Sequence, residues 1–506
     1  MSRTAERYDA LAARLRGTAL LRSCGSVLGW DEQTYLPPGG VGHRSEQMAL
    51  LAGKAHAEAT DPSLGELLAE LESDDLGDPD DAVAVNVREA RREYDRATCL
   101  PRRLVEELSR VTTLSQQVWV EARREQDFPS FLPWLVQVVA LKREEAEAVG
   151  FAEGGELYDA LLDHYEPGAT SAWVDSLFDP LRAETVSLLD AIRGSQVEPE
   201  IEILTRRYPV DVQRQIGTRA AERIGFCFDE GRLDVAAHPF CSGFGPGDCR
   251  LTTRYDPQHF PGAFFGTMHE AGHGIYEQGL DRQAYGTAMG ESCSLGIHES
   301  QSRMWENFVG RGELFWDGFY EETRASFPAA LGEVSCGRFV AAINDVRPSM
   351  IRVESDEVTY NLHIMLRFEL ERQLVAGNLQ PADVPGAWNE TFTRDFGITP
   401  ENDAEGCLQD IHWSGGMIGY FPTYALGNIY AAQFYAAARR ELGDFEAGFV
   451  SGEFAELRNW LRQNIHRRGR QFPAGRLVEV VTGEPPSYRP LVEHLCERFR
   501  PLYRLE

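Results

Sequence analysis

The segment Thr267–Gly274 carries the residues whose types and spacing best match a chemical task. It contains the pattern His-Glu-x-x-His, formed by His269, Glu270 and His273. On a helix, residues four apart project from one face, so the two imidazoles can reach a single metal ion. Glu270 lies about 100° round the helix from His269, close to a metal-held water but not itself a ligand. This spacing is the geometry that a zinc peptidase needs.

A catalytic zinc ion usually has three protein ligands and one open position. The downstream candidates for the third ligand are Glu277, Glu291 and Glu299. We predict Glu299, because the 25 residues between it and His273 suit a loop and a second helix packed on the first. The adjacent His298 is the alternative. Neighbouring helical residues point about 100° apart, so only one of the two can face the metal.

Six short elements follow one another along nearly the whole chain. They are His238–Phe240 (HPF), Asp248–Thr252 (DxRxT), His269–His273 (HExxH), His298–Gln301 (HESQ), Ile351–Asp356 (IRxx[AS]D) and Gly406–Trp413 (GxxQDxHW). In this order they resemble the carboxypeptidase Taq family of metallocarboxypeptidases. The segment Trp30–Gly40 also resembles the family's opening segment, with Leu36 where Met is expected. The resemblance implies a mostly helical fold with a deep groove, a homodimer, and release of single residues from peptide C-termini.

The chemistry expected of such an enzyme is hydrolysis of the last peptide bond of short peptides. His269, His273 and Glu299 would hold one Zn²⁺ ion, and Glu270 would assist the attack of a zinc-bound water. Co²⁺ and Mn²⁺ are possible substitutes, since histidine and carboxylate ligands suit several metals. Asp248 and Asp356 are candidates for orienting the imidazoles.

An exopeptidase of this kind must also recognise a free C-terminal carboxylate. Arginine suits this task because its planar fork binds a carboxylate through two hydrogen bonds. We predict Arg352 as the anchor, with Arg250 as second choice. The negative charge that develops on the scissile carbonyl oxygen needs donors, for which the candidates are His238, His412 and Tyr420.

Three other functions remain open from the sequence. An endo-acting zinc oligopeptidase on the same scaffold would share the metal motif. A non-catalytic member would bind peptides or a partner, although the intact Glu270 argues against it. A zinc hydrolase acting on non-peptide amides is the third.

Composition restricts the class of partner and the compartment. The chain of 506 residues has a formal charge of −29, which disfavours nucleic acid and anionic membranes as partners. We find no signal-peptide core near the first residue and no apolar run of about 18 residues. Nine scattered cysteines, an odd number without a CxxC pair, indicate a reducing compartment. We therefore expect a cytoplasmic protein.

The predicted fold class is mainly α: a large, two-lobed helical metallopeptidase with a deep central groove, spanning residues 1–506 as one domain. Apolar spacing of three and four residues predicts helices over 3–28, 44–72, 102–126 and 132–149. Pro37–Gly40 should break the first two. The strand signal is limited to Arg232–Val235 and Cys249–Arg254, which we expect to pair as a hairpin around the glycine-rich Ser242–Gly247, near the active site.

Overall fold

The structure is a computed structural model that describes residues 2–505. Helices account for 69% of it, and the strands form one small sheet, so the mainly α prediction is confirmed. The helices of the first half are α1 Arg3–Thr34, α2 Val41–Ala59, α3 Pro62–Glu72, α4 Ala82–Cys99, α5 Arg102–Glu125, α6 Phe128–Val149, α7 Asp159–Tyr165, α8 Ser171–Gly194 and α9 Val210–Ile224. Those of the second half are α10 Phe260–Gly279, α11 Leu295–Arg303, α12 Glu313–Ser326, α13 Pro328–Leu331, α14 Cys336–Ile343, α15 Tyr360–Ala376, α16 Val384–Phe396, α17 Pro422–Leu442, α18 Ala455–Asn464, α19 Ala474–Thr482 and α20 Arg489–Tyr503.

The predicted helices are present, with one boundary missed. The break at Pro37–Gly40 is a short 3-10 turn, Pro38–Gly40, between α1 and α2. The prediction of one helix over 44–72 is wrong, because the chain stops at Ala59 and starts again at Pro62. Asp61 caps the new helix by accepting from the backbone N–H of Ser63 at 2.7 Å. A capping aspartate followed by proline at the first helical position is a standard start signal.

The sheet has three strands, β1 Gly231–Val235, β2 Cys241–Gly245 and β3 Asp248–Thr253, in the order β1-β3-β2. Pairing of the β1 and β3 segments was predicted correctly, but the predicted hairpin between them is wrong because they run parallel. The hairpin is formed by β2 and β3, which pair antiparallel. The glycine-rich run therefore supplies a strand of its own, and the chain crosses back to place β3 in the middle.

The chain divides into two compact units, each assembled from three discontinuous segments. Unit 1 comprises Met1–Thr98, Pro199–Ile343 and Phe434–Gly483, and unit 2 comprises Cys99–Glu198, Asn344–Gln433 and Glu484–Glu506. The core of unit 1 includes an aromatic cluster in which Phe264 lies 5.0 Å from Trp316 between ring centroids. In unit 2, Phe368 of α15 packs edge-on against Phe178 of α8 at 5.5 Å. The expectation of one domain with two lobes around a groove stays a prediction.

Two further features are the polarity of the helices and the state of the cysteines. Across residues 2–505, the helices are all too short or too polar to cross a membrane. The nine cysteines are free thiols in this structure. Cys241 and Cys249, on β2 and β3, have sulfur atoms 3.5 Å apart.

Candidate metal centre

The His-Glu-x-x-His segment lies on α10, a helix buried on most of its surface. A second helix, α11, packs directly against it at Gly272. A Cβ atom at Gly272 would lie 2.6 Å from the Cα of Ser302 and 2.7 Å from the carbonyl oxygen of Gln301. No larger residue fits without moving α11 away. The glycine inside the motif thus sets the distance between the two helices.

This close packing brings together the three predicted ligands. Nε2 of His273 lies 3.4 Å from Oε2 of Glu299, and Nε2 of His269 lies 3.6 Å from the same oxygen. One donor atom from each residue lies within 4.8 Å of the other two. Both parts of the prediction for Glu299, a second helix and a position facing the two histidines, agree with its place on α11.

The donor set fits a divalent metal ion. Zinc bonds of about 2.0–2.1 Å at tetrahedral angles place neighbouring ligand atoms about 3.3 Å apart, close to the observed separations. Burial, together with the neighbouring His298, lowers the pKa of His273 to about 3, so its imidazole is neutral, the form that binds a metal. Burial alone would raise the pKa of Glu299, but Arg303 and the two imidazoles outweigh it and hold that pKa well below its usual range.

A chain of hydrogen bonds fixes the orientation of His273. Its Nδ1 lies 2.6 Å from Nδ1 of His298, whose Nε2 lies 2.8 Å from Oε1 of Glu277. If Nε2 of His273 faces the metal, its Nδ1–H must donate to His298, and the Nε2–H of His298 must then donate to Glu277. The arrangement therefore selects one tautomer for both rings, with a carboxylate at the far end.

The second histidine is held by a different carboxylate. Nδ1 of His269 lies 2.8 Å from Oε2 of Glu306. Glu306 belongs to a π-helical turn, Met304–Val309, that continues α11. Arg303 bridges the two acids, donating from Nε to Oε1 of Glu299 at 2.7 Å and from Nη1 to Oε2 of Glu306 at 3.3 Å. Single π-helical turns inside helices are common at functional sites.

Glu270 lies in the same buried region and is 6% exposed. Burial raises its pKa to about 7, because the charged form loses hydration and the carboxylates of Glu299 and Glu306 disfavour a further negative charge. A carboxylate with a pKa near neutrality suits both accepting and returning a proton at neutral pH.

Sequence reasoning missed Glu306, and it considered Glu277 and His298 only as alternative third ligands, not as a hydrogen-bonded pair behind the cluster. A signal for Glu306 was available, since Glu299, Arg303 and Glu306 follow the i, i+4, i+7 spacing of one helix face. The contact of Glu277 with His298 depends on how α10 and α11 pack, which no local pattern announces. The suggested orienting residues have other partners: Asp248 pairs with Arg250 at 2.9 Å, and Asp356 accepts from Thr359.

Two of the predicted substrate-binding residues lie in unit 1. Arg250, on β3, donates to both oxygens of Asp248 at 2.9 Å and stacks on the ring of Trp30 at 4.4 Å. Its guanidinium is thus already engaged on one edge and one face. His238 is exposed in the loop between β1 and β2.

The other three predicted substrate-binding residues lie in unit 2 and are close to one another. Arg352 is buried, with Nε and Nη2 at 3.1 and 2.8 Å from Oδ1 of Asp410 and its Nη1 at 3.1 Å from the hydroxyl of Tyr360. His412 is also buried, and its ring centroid lies 5.4 Å from that of Tyr420. The structure therefore joins Arg352, His412 and Tyr420 through two neighbouring segments, 352–360 and 410–424.

Comparison with known proteins assigns the chain to a family. Residues 10–499 match the model of the family described as carboxypeptidase Taq (M32) metallopeptidase. Thermostable carboxypeptidase 1 of Thermus thermophilus is 47% identical over 504 residues, covering 98% of this chain and 99% of the relative. Carboxypeptidase 1 of Bacillus subtilis is 37% identical, covering 95% of both chains.

Solved structures agree with this assignment. The crystal structure of the M32 carboxypeptidase from Deinococcus radiodurans superposes with a TM-score of 0.95 at 37% identity, covering 99% of this chain and 100% of the other. Metallocarboxypeptidase 1 of Trypanosoma cruzi superposes with a TM-score of 0.92 at 34% identity, covering 98% and 99%. The chain therefore belongs to the carboxypeptidase Taq (M32) family and is a metallocarboxypeptidase.

Proposed function

We propose that this enzyme removes single residues from the C-termini of short peptides with one zinc ion per chain, held by His269, His273 and Glu299. The observation that carries the proposal is the convergence of three donor atoms within 4.8 Å on two helices in backbone contact. Bound there, zinc supplies Lewis-acid polarisation of the scissile carbonyl and lowers the pKa of water. Glu306 and the His298–Glu277 pair orient the two imidazoles.

Glu270 is the proposed general base. Its carboxylate accepts a proton from the attacking water and then delivers it to the nitrogen of the leaving residue. In the metal-free cluster, burial raises the pKa of Glu270 to about 7. A cation in the cluster would lower this pKa by favouring the carboxylate form.

Arg352 is the proposed anchor for the C-terminal carboxylate of the peptide, with Arg250 as the second candidate. Three of the five N–H groups of an arginine are used in the contacts of Arg352 with Asp410 and Tyr360. The other two, one on Nη1 and one on Nη2, are the donors that a carboxylate would use. Arg250 is 20% exposed, and its Nε and Nη2 donate to Asp248.

For the developing charge on the carbonyl oxygen, His412 and Tyr420 are the proposed donors, with His238 as the third candidate. Nε2 of His412 lies 3.2 Å from the hydroxyl of Tyr424, so its ring is held in a fixed orientation. Zinc as the metal, assembly as a homodimer and a cytoplasmic location belong to the same proposal. Support for the location comes from the free thiols.

The test of the reaction uses one peptide in two forms, with a free C-terminus and with a C-terminal amide. Protein stripped with a chelator is reloaded with Zn²⁺, Co²⁺ or Mn²⁺, and the products are followed by mass. We expect stepwise loss of single residues from the free C-terminus only, and no products without metal. Among the three metals at physiological concentration, we expect the highest rate with zinc. Internal cleavage of the amidated peptide at a similar rate would favour an endo-acting oligopeptidase.

The test of the anchor is binding of a non-hydrolysable peptide analogue and its C-terminal amide to the Arg352→Ala variant. Loss of a charge-assisted contact should weaken binding of the free acid by roughly 10- to 100-fold, with little change for the amide. Arg347→Ala is the matched control, since that side chain is 55% exposed and pairs with Asp345. Equal losses for acid and amide would remove Arg352 from this role.

A further inference from the structure

Two buried arginines of unit 2 share a single aspartate. Arg352 contacts Oδ1 of Asp410 through Nε and Nη2, while Arg367 contacts Oδ2 through Nε at 2.7 Å and Nη2 at 2.5 Å. Each arginine therefore takes one oxygen of the same carboxylate. In an ordinary buried ion pair, one arginine takes both oxygens and the charges cancel.

The two arginines differ in what they can reach. Arg367 is completely buried on α15, where Nη1 donates to the carbonyl oxygen of His363 at 2.7 Å and the guanidinium lies over the ring of Trp388 at 4.6 Å. No substrate can touch it there. Arg352 has a side chain that is 7% exposed.

The neighbouring titratable groups leave a surplus of positive charge. Burial would raise the pKa of Asp410, but the two arginines hold it well below its usual range, so it is a carboxylate. Burial, reinforced by Arg367 and Arg352, lowers the pKa of His363 far below its usual value, so its imidazole is neutral. Glu371, one turn beyond Arg367 on α15, has its pKa raised to about 7 by burial.

Glu371 is also directed elsewhere. Its two oxygens accept from the hydroxyl of Tyr158 at 2.6 Å, from Nε1 of Trp413 at 2.8 Å and from the backbone N–H of Gly419 at 2.9 Å. His412 also lies next to Asp410, with Nδ1 at 3.9 Å from Oδ1, and adds no negative charge. Among the three side chains that pair directly, Arg352, Arg367 and Asp410, two cations therefore stand against one anion.

We propose that Arg367 determines the specificity of this enzyme for free C-termini without touching the substrate. By occupying one oxygen of Asp410, it leaves the charge of Arg352 only half neutralised and directed toward the peptide carboxylate. Without Arg367, Arg352 and Asp410 would form a neutral pair with little attraction for an anion. This inference depends on the proposed anchor role of Arg352.

The test measures, by calorimetry on the zinc-loaded enzyme, how strongly binding depends on the charge of the peptide's C-terminus. A non-hydrolysable peptide analogue is used in two forms, and the ratio compared is the dissociation constant of the amide divided by that of the free acid. Arg367→Met should reduce the ratio about tenfold, the effect of one charge several ångströms away in a partly screened interior. Arg367→Lys keeps the charge and should stay within about threefold of wild type. The double variant Arg367→Met/Asp410→Asn again has one surplus cation and should recover most of the ratio.

The outcomes separate this inference from the anchor proposal. If Arg352→Met abolishes the acid preference but Arg367→Met leaves it within twofold of wild type, the anchor stands and the inference is wrong. Failure of the double variant to recover the preference would also overturn it, since disruption of packing would then explain the loss. If Arg352→Met keeps the preference, the anchor and the inference fall together. If Arg367→Met does not fold, Asp410→Asn is the deciding variant, because removing the anion should raise the amide-to-acid ratio of dissociation constants. A ratio below that of wild type contradicts the inference.

Discussion

The candidate metal centre in unit 1 and the arginine cluster in unit 2 are both buried groups of charged side chains, but the net charges of the two groups have opposite signs. In the candidate metal centre, the carboxylates of Glu277, Glu299 and Glu306 stand against two arginines, Arg303 and Arg311. In the arginine cluster, two guanidiniums share Asp410. Since an unbalanced buried charge is costly, each imbalance indicates a ligand of the opposite charge. A divalent cation suits the first, and a peptide carboxylate suits the second.

The two clusters also differ in how the chain assembles them. The metal centre draws on α10, α11 and the π-helical turn, and its residues repeat at helical spacing within 269–306. The arginine cluster joins a 3-10 turn at Arg352, the middle of α15 and the irregular segment at Asp410. The first cluster can therefore be recognised from residue spacing in the sequence, whereas the second is formed by contacts between segments that are distant in the sequence.

The largest effect should follow from Glu270→Gln, which leaves the three proposed ligands intact and removes the proposed base. We expect turnover to fall by about 10³- to 10⁴-fold, with bound metal still at one ion per chain by elemental analysis. Glu291→Gln is the matched control, because Glu291 pairs with Arg470 at 2.6 Å outside the donor set. Turnover near wild type in Glu270→Gln would show that another group moves the proton.

An intermediate effect should follow from Glu277→Gln at the far end of the hydrogen-bonded chain. A neutral amide no longer favours the Nε2–H of His298, so His273 is held less firmly. Metal affinity, measured by competition with a chromogenic chelator, should weaken by about 10- to 100-fold. Turnover at saturating metal should change far less. Unchanged affinity would mean that packing of α11 alone orients His273.

The smallest effect should follow from removing an arginine–carboxylate pair on the surface of unit 1. Arg338 and Glu200 are joined by two hydrogen bonds, but their side chains are 44% and 52% exposed. Arg338→Met should change the free energy of unfolding by less than about 1 kcal/mol and leave turnover unaltered. If the free energy of unfolding fell as much as it does when one partner of a buried ion pair is removed, burial would not distinguish the two charge clusters from surface ion pairs.

Local patterns predicted much of this molecule. The spacing of His269, Glu270 and His273 placed them on one helix, and the distance to Glu299 predicted the second helix. Both predictions agree with α10 and α11. The helix over 102–126 agrees with α5, Arg102–Glu125. These inferences succeed because helical periodicity and capping depend on residues close in sequence.

Other features were missed because they depend on which segments meet. The parallel pairing of β1 with β3 requires a crossover that strand propensity cannot reveal. The sequence shows that Arg367 lies among apolar residues in the segment that forms α15. Nothing close to it in the sequence identifies Asp410 as its partner.

The amino-acid sequence by itself determined which donor types the candidate metal site offers, since donor types and their spacing on a helix are local properties. Tertiary structure alone decided that Gly272 lets α11 approach, that Glu306 and His298 stand behind the imidazoles, and that two arginines divide one aspartate. Hydrogen bonds and buried charges act over a few ångströms of space, and only the folded chain brings these distant segments within that range.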